Sequence, residues 1–213
     1  AQDDFLTFCT VLDKPPANHM LEWHNYLVTG ESNKYLLDIA GPNLDILAPR
    51  GSAKSTVLNL FTAWVIGRHT TNQRPLQIIY CSYNIATAIP KSRIIKQIIE
   101  SSTFRKVFPK VQLRQGMQSD VGWSIDFDYA GINRVGDEEF TLRAAGLRGS
   151  ITSKRAHLVI VDDPIKSSSD IKNPSIRDEM NNNWSSVIAP IVFEGGRSIC
   201  LGTRFHPLDI HKT

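Results

Sequence analysis

Cysteine is scarce in this 213-residue chain. There are three, Cys9, Cys81 and Cys200, far apart and without a C-x-x-C pair, a spacing that speaks against a local zinc motif or a disulfide framework. Cys81 and Cys200 lie in apolar runs and read as buried core thiols, and a reducing, intracellular compartment is the default expectation. A secretory signal is lacking, as is any apolar stretch long enough to span a bilayer, so no membrane role is expected. Charge of one sign is barely in excess: 24 Lys+Arg against 21 Asp+Glu give +3, too little by itself to establish nucleic-acid binding. Internal repeats and low-complexity tracts are absent. What remains is an ordinary globular composition, 41% hydrophobic and 21% charged, in a length suited to one large domain or two small ones with a core that needs no staples. The chain begins at Ala1 rather than Met, which points to a fragment or a processed chain.

The stretch Leu44–Thr56, LDILAPRGSAKST, organises the rest. A short apolar run enters a loop, Pro49-Arg50-Gly51-Ser52-Ala53, that ends in Lys54-Ser55-Thr56 and opens an apolar-rich helix. Strand, loop, lysine-hydroxyl and helix form the layout of a phosphate-binding loop, in which backbone N–H groups and the helix N-terminus face an anion. Lys54 would reach the β- and γ-phosphates of a nucleotide and Ser55 would ligate Mg²⁺. The usual glycines are missing: Ala48 and Ala53 stand where G-x-x-x-x-G-K-[ST] has Gly, and a methyl at position 53 bears on how tightly backbone approaches a ligand. The competing reading is a surface turn before a helix.

The second signal is HLVIVDD, 157–163. Four apolar residues ending in paired acids describe a buried parallel strand with carboxylates at its C-terminal edge, where open α/β sheets bind ligands. Asp162 would hold Mg²⁺ and Asp163 would orient or deprotonate an attacking water; the alternative is a strand followed by an Asp-Pro turn. Other strands are expected over Leu76–Ser82 and Arg197–Arg204, the latter ending at Gly202-Thr203, a polar tip able to sense the γ-phosphate. Asn18–Val28 and Ala86–Ser101 read as helices, with Pro90 in the first turn of the second or kinking it and Arg93 and Lys96 on its outer, solvated side. In the first, Trp23 and Leu27 pack into the core, or the helix covers a nucleotide base with His24 or Asn25 at the adenine edge. Trp123–Tyr129 alternates with period two and pairs with Glu139–Arg143 as a hairpin or antiparallel edge strands. Pro174–Val187 is a helix, on which Glu179 is either a substitute catalytic carboxylate or part of a solvated face. The alternation of strands and helices predicts an α/β fold with a mainly parallel sheet flanked by helices and antiparallel members at one edge.

In this order the segments resemble the ATPase domain of the large terminase subunit, the DNA-packaging motor of tailed bacteriophages, in the branch whose acidic motif is D-D-P. APRGSAKS, IIYCSYN, GSITSKRAHLVIVDDPIK and LGTRFHPLD carry the resemblance, which runs from about His19 to His211. It implies a RecA-like, additional-strand P-loop ATPase fold over 1–213, residues 1–43 forming an adenine-side segment and 44–213 the core. It implies ATP and Mg²⁺ as cofactors and hydrolysis that drives double-stranded DNA into a procapsid. Residues 49–56 with Trp23 and His24 then bind nucleotide, Ser55 and Asp162 the metal, and Lys54, Asp163 and Thr203 serve catalysis and coupling. Asp163 stands where many family members have glutamate, and Ser153 replaces a glycine before Arg155. Arg155 and Arg148 are the candidates for an arginine supplied in trans. The implied partners are double-stranded DNA, a homo-oligomeric ring (pentameric on the procapsid, monomeric in solution), the portal protein and the small subunit, in the host cytoplasm. The family's C-terminal nuclease domain is expected to be absent here, and DNA cleavage with it. A helicase-type ATPase and an ATP-binding scaffold with little turnover are the other readings.

Overall fold

A computed structural model describes residues 1–28, 43–133, 140–147, 149, 151, 155–167 and 171–211. Its centre is a seven-stranded sheet: β1 (Leu44–Leu47), β2 (Ile78–Ser82), β3 (Leu113–Gln118), β4 (Gly122–Ile125), β5 (Leu142–Gly146), β6 (Ala156–Asp162) and β7 (Val192–Gly202). The order across the sheet is β1-β7-β6-β2-β5-β4-β3. The first five strands in that order are parallel; β4 and β3 add antiparallel members at one edge. β7 thus lies between β1, which feeds the loop at 48–53, and β6, which ends in the acids. This inserted strand is the additional strand expected of a RecA-like core.

Burial on both faces explains the unbroken apolar runs. In β6, Leu158 and Ile160 point into one core and Val159 and Val161 into the other. The first core holds α3 (Lys54–Thr71), α1 (Phe5–Val11), α2 (Leu21–Val28) and the inner side of α4 (Ile85–Glu100). The second lies under α7 (Pro174–Asn183) and the irregular turns through Ile191. Among the described residues there are also two short helices, α5 (Ser102–Val107) and α6 (Phe127–Ala130). All three cysteines are free and buried, and among the described residues no helix is long and apolar enough to cross a membrane.

Local chemistry moved several boundaries. The expected strand through Tyr129 stops at Ile125, because Asp126 accepts from the Tyr129 N–H and caps α6, which Gly131 closes at φ 70°. The antiparallel pairing with 142–143 does form. The helix expected over 174–187 turns into a π-turn at Trp184–Ile188. Arg93 and Lys96 are on the outer side of α4 but both bind Asp120, at 2.8 and 2.9 Å.

Arg197 is a second buried cation, beside Lys54, among the described residues. Fully covered in β7, it donates to the carbonyls of Leu27 at 3.0 Å and Tyr26 at 3.1 Å, oxygens left open at the end of α2. Arg197→Leu removes these donors and strands two carbonyls. The expected loss is about 2–4 kcal/mol, a fall in Tm of roughly 4–16 °C for a chain of this size, read by thermal denaturation.

Candidate functional site

The loop between β1 and α3 is built by two left-handed residues, Gly51 (φ 80°) and Ala53 (φ 56°). Glycine takes such angles freely; for alanine they cost about 1–2 kcal/mol. Ala53 nonetheless adopts the left-handed conformation that a glycine would take there. Ala53→Gly is expected to raise stability by about 0.5–1 kcal/mol, the strain relieved being partly offset by the freer unfolded chain; a thermal melt checks it. As N-cap of α3, Ala53 offers no side-chain acceptor, so the first-turn N–H groups remain open to an anion. Ser52 Oγ braces the loop by donating to Pro49 O at 2.7 Å.

Lys54, on the first turn, is 5% exposed. Its Nζ donates to Pro49 O at 3.0 Å and to Thr203 Oγ1 at 3.3 Å, and lies 3.8 Å from Asp163 Oδ1. Thr203, at the tip of β7, donates in turn to Ala48 O at 3.0 Å, tying the inserted strand to the end of β1. Ser55 Oγ donates to Asp162 Oδ1 at 3.0 Å. The lysine, both hydroxyls and both acids thus converge at one rim of the sheet, the C-terminal ends of β1, β7 and β6.

Sequence reasoning missed part of the setting of Asp162. Its other oxygen, Oδ2, accepts from the buried Tyr80 hydroxyl at 3.0 Å and lies 3.5 Å from the Lys91 ammonium on α4. Tyr80 also contacts Asn59 Oδ1 at 3.0 Å. Burial, then the neighbouring carboxylate, push the Tyr80 phenol well above its ordinary range, so it stays a donor. Nothing in the run IIYCS marks Tyr80 as different from an apolar neighbour, and Lys91 sits on the polar side of its helix. Both become legible only when α4 folds over β2.

Asp163 follows the strand at φ 48°, a left-handed angle that aspartate tolerates. Burial, then the charge of Asp162, raise its pKa above the ordinary 3.8, against the opposing pull of Lys54, Lys91 and Arg50. Arg50 donates to Lys166 O at 2.9 Å and lies over the Phe205 ring at 5.2 Å. Together with Gly51, Ala53, Lys54, Ser55, Thr56 and Asp163 it lines a cavity of about 370 Å³.

A second cavity, about 120 Å³, opens on the other side of Ala53 and Thr56 and is lined in part by Pro15, Pro16, Met20 and His24. His24 stacks flat on Phe5, centroids 5.5 Å apart, and its buried Nε2 has no hydrogen-bond partner among the described residues. Trp23 does not line this cavity; it is half-buried and meets His19 edge-on at 5.5 Å. Arg155 is exposed and precedes β6, so it lies a strand's length, about 20 Å, from the acids. Glu179, on α7, does not line the larger cavity. Arg148, the other candidate for an arginine supplied in trans, lies outside the described residues.

The additional-strand sheet and the loop before α3 make this the fold of a P-loop ATPase. No protein-family model and no curated protein sequence matches the chain. Solved structures do. The large terminase ATPase domain of Thermus phage P74-26 superposes with a TM-score of 0.51 at 15% identity, over 93% of this chain and 69% of that one; a point variant of that domain gives 0.54. Dbp5 of S. cerevisiae, solved bound to RNA and ADP BeF3, gives 0.53 at 8% identity, over 97% of this chain. This chain spans 45% of the length of Dbp5.

Proposed function

We propose that the chain is the ATPase domain of a viral DNA-packaging motor, a large terminase subunit of the D-D-P branch, which hydrolyses ATP with Mg²⁺ to move double-stranded DNA into a procapsid. The observation that carries the ATPase reading is the 3.0 Å contact between Ser55 Oγ and Asp162 Oδ1, with Lys54 beside them. A hydroxyl and a carboxylate oxygen suit a hard divalent cation, and Asp162 already attracts the Lys91 ammonium. Mg²⁺, when bound, neutralises charge on the β- and γ-phosphates. Residues 50–56 cradle the phosphates with backbone N–H groups, and Lys54 leaves Pro49 O to meet the γ-phosphate. The His24 cavity supports base binding at the Ala53–Thr56 side, with Nε2 facing the adenine edge. Thr203, bonded to both Lys54 and Ala48 O, relays the γ-phosphate's presence to β1. Asp163 holds the attacking water and takes its proton.

The same reading assigns a ring of such chains, docked on a procapsid through the portal and served by a small subunit. A neighbour supplies an arginine worth about 10³–10⁵ in rate. Arg155 suits that role only in trans, since it cannot reach its own site. DNA contacts of such a motor would be to phosphates and strongly salt-dependent. The likeness to RNA-bound Dbp5 supports a helicase-type alternative, which strand separation on a forked duplex would reveal.

Phosphate release with and without double-stranded DNA tests the proposal. The expected result is Mg²⁺-dependent turnover, slow in the monomer and stimulated by DNA. Asp163→Asn is expected to bind ATP normally and lose about 10²–10⁴-fold in turnover; normal turnover would move the base elsewhere, Glu179 first. Because the base must be ionised and its pKa is raised, kcat/KM should fall on acidification at a pH above 3.8. The absence of turnover with DNA present and ATP bound would leave the scaffold reading.

A further inference from the structure

On the face of the sheet away from α3, three ligating side chains from distant parts of the chain meet. Asp45 in β1 and Cys200 in β7 are register partners, so their side chains leave the sheet side by side. The chain beyond β7 then doubles back over them. Asp209, fully buried, accepts from the N–H groups of Phe205, His206 and His211, each at 3.0 Å, and this fold delivers the His211 imidazole onto the strand pair. His211 Nδ1 lies 2.7 Å from Asp45 Oδ1 and 4.0 Å from Cys200 Sγ. The three ligand atoms all fall within 4.8 Å of one another. Cys200 and His211 are each 2% exposed, while the Asp45 side chain is 43% exposed and opens the cluster to solvent.

We propose that Asp45, Cys200 and His211 form a binding site for one borderline-soft divalent cation of the zinc type. Thiolate, imidazole and carboxylate together are a zinc or cobalt donor set; magnesium and calcium take oxygen alone. Bonds of about 2.0–2.3 Å at tetrahedral angles place ligand atoms about 3.3–3.7 Å apart. The separations of 2.7 and 4.0 Å bracket that range, so small side-chain rotations suffice. Water completes the fourth position on the open side of Asp45. On binding, the Cys200 S–H bond breaks and its proton leaves to solvent. The imidazole proton moves from Nδ1 to Nε2, which is buried against Gly202 without an acceptor; the site is therefore weaker than a closed four-ligand one. The wide spacing of the three residues along the chain hides the cluster from any sequence motif. Its position gives it a consequence. The metal would clamp β1 three residues before Ala48, β7 three residues before Thr203, and the segment beyond, fixing the two strand ends that Thr203 joins.

The test is cobalt titration of the chelator-treated 213-residue chain, following thiolate-to-cobalt charge-transfer absorption, with zinc competition and elemental analysis. The expected result is one equivalent bound, a charge-transfer band displaced by zinc, loss of that band in Cys200→Ser, and affinity lowered at least about tenfold in the solvent-open Asp45→Asn. A folded, unsubstituted chain that binds no cobalt or zinc at micromolar concentration would overturn the proposal and leave a hydrogen-bonded latch. So would a band that survives in folded Cys200→Ser, which would place the metal at another thiol.

Discussion

Replacing Lys54 with alanine is expected to reduce ATP turnover by about 10³-fold, roughly 4 kcal/mol of transition-state stabilisation, while the fold stays intact. The two halves of this expectation have separate grounds. The ammonium is the nearest cation to the point where the loop, Thr203 and Asp163 converge, and a preorganised charge in a water-poor site acts most strongly where negative charge develops. Its removal costs the fold little: Pro49 O still accepts from the Ser52 hydroxyl, and the half-buried Thr203 hydroxyl, though it loses its donor, still donates to Ala48 O. Asp163 loses one of the charges that hold its pKa down, so what activity remains should have its acid limb displaced to higher pH. Phosphate release at saturating ATP, set beside a thermal melt, checks both halves.

Asp162→Asn is expected to have a comparable effect on turnover, about 10³-fold, for a different reason. The carboxylate is the negative partner at the point where Ser55 and Lys91 meet, and a neutral amide attracts a divalent cation far less. The structure limits the damage to the fold. The new amide keeps one oxygen for Ser55, its NH₂ can donate to the Tyr80 oxygen, and the Tyr80 proton turns to Asn59 Oδ1. Lys91, 25% exposed, can turn to water. Raising Mg²⁺ should restore turnover only in part, whereas no Mg²⁺ concentration should restore the Lys54 variant. Turnover against Mg²⁺ concentration, measured in both variants, distinguishes them.

The placement of these two residues at one rim of the sheet was legible because their signals are local. A loop that ends in lysine and hydroxyl opens a helix, and an apolar run that ends in acids closes a strand buried on both faces. The parallel core was legible for the same reason. β3, LRQGMQ, was not: an edge strand with half-exposed positions carries little apolar pattern. α6 hid inside a period-two stretch, where Asp126 and Gly131 outweigh alternation. The supporting groups were illegible for a stronger reason. Tyr80, Lys91 and Arg197 act through partners 82, 71 and 170 residues away, and no window along the chain brings these partners together. Ala53 shows the converse: a departure from the glycine pattern that suggests a weakened loop is absorbed by a left-handed alanine at modest strain.

The most direct measurement is equilibrium binding of ATP to the chain, with and without Mg²⁺, in the unsubstituted protein and in Asp162→Asn. The account predicts one saturable site, tightened by Mg²⁺ in the unsubstituted chain and tightened much less in the variant. Binding that responds equally to Mg²⁺ in both would place the metal away from Ser55 and Asp162 and contradict it.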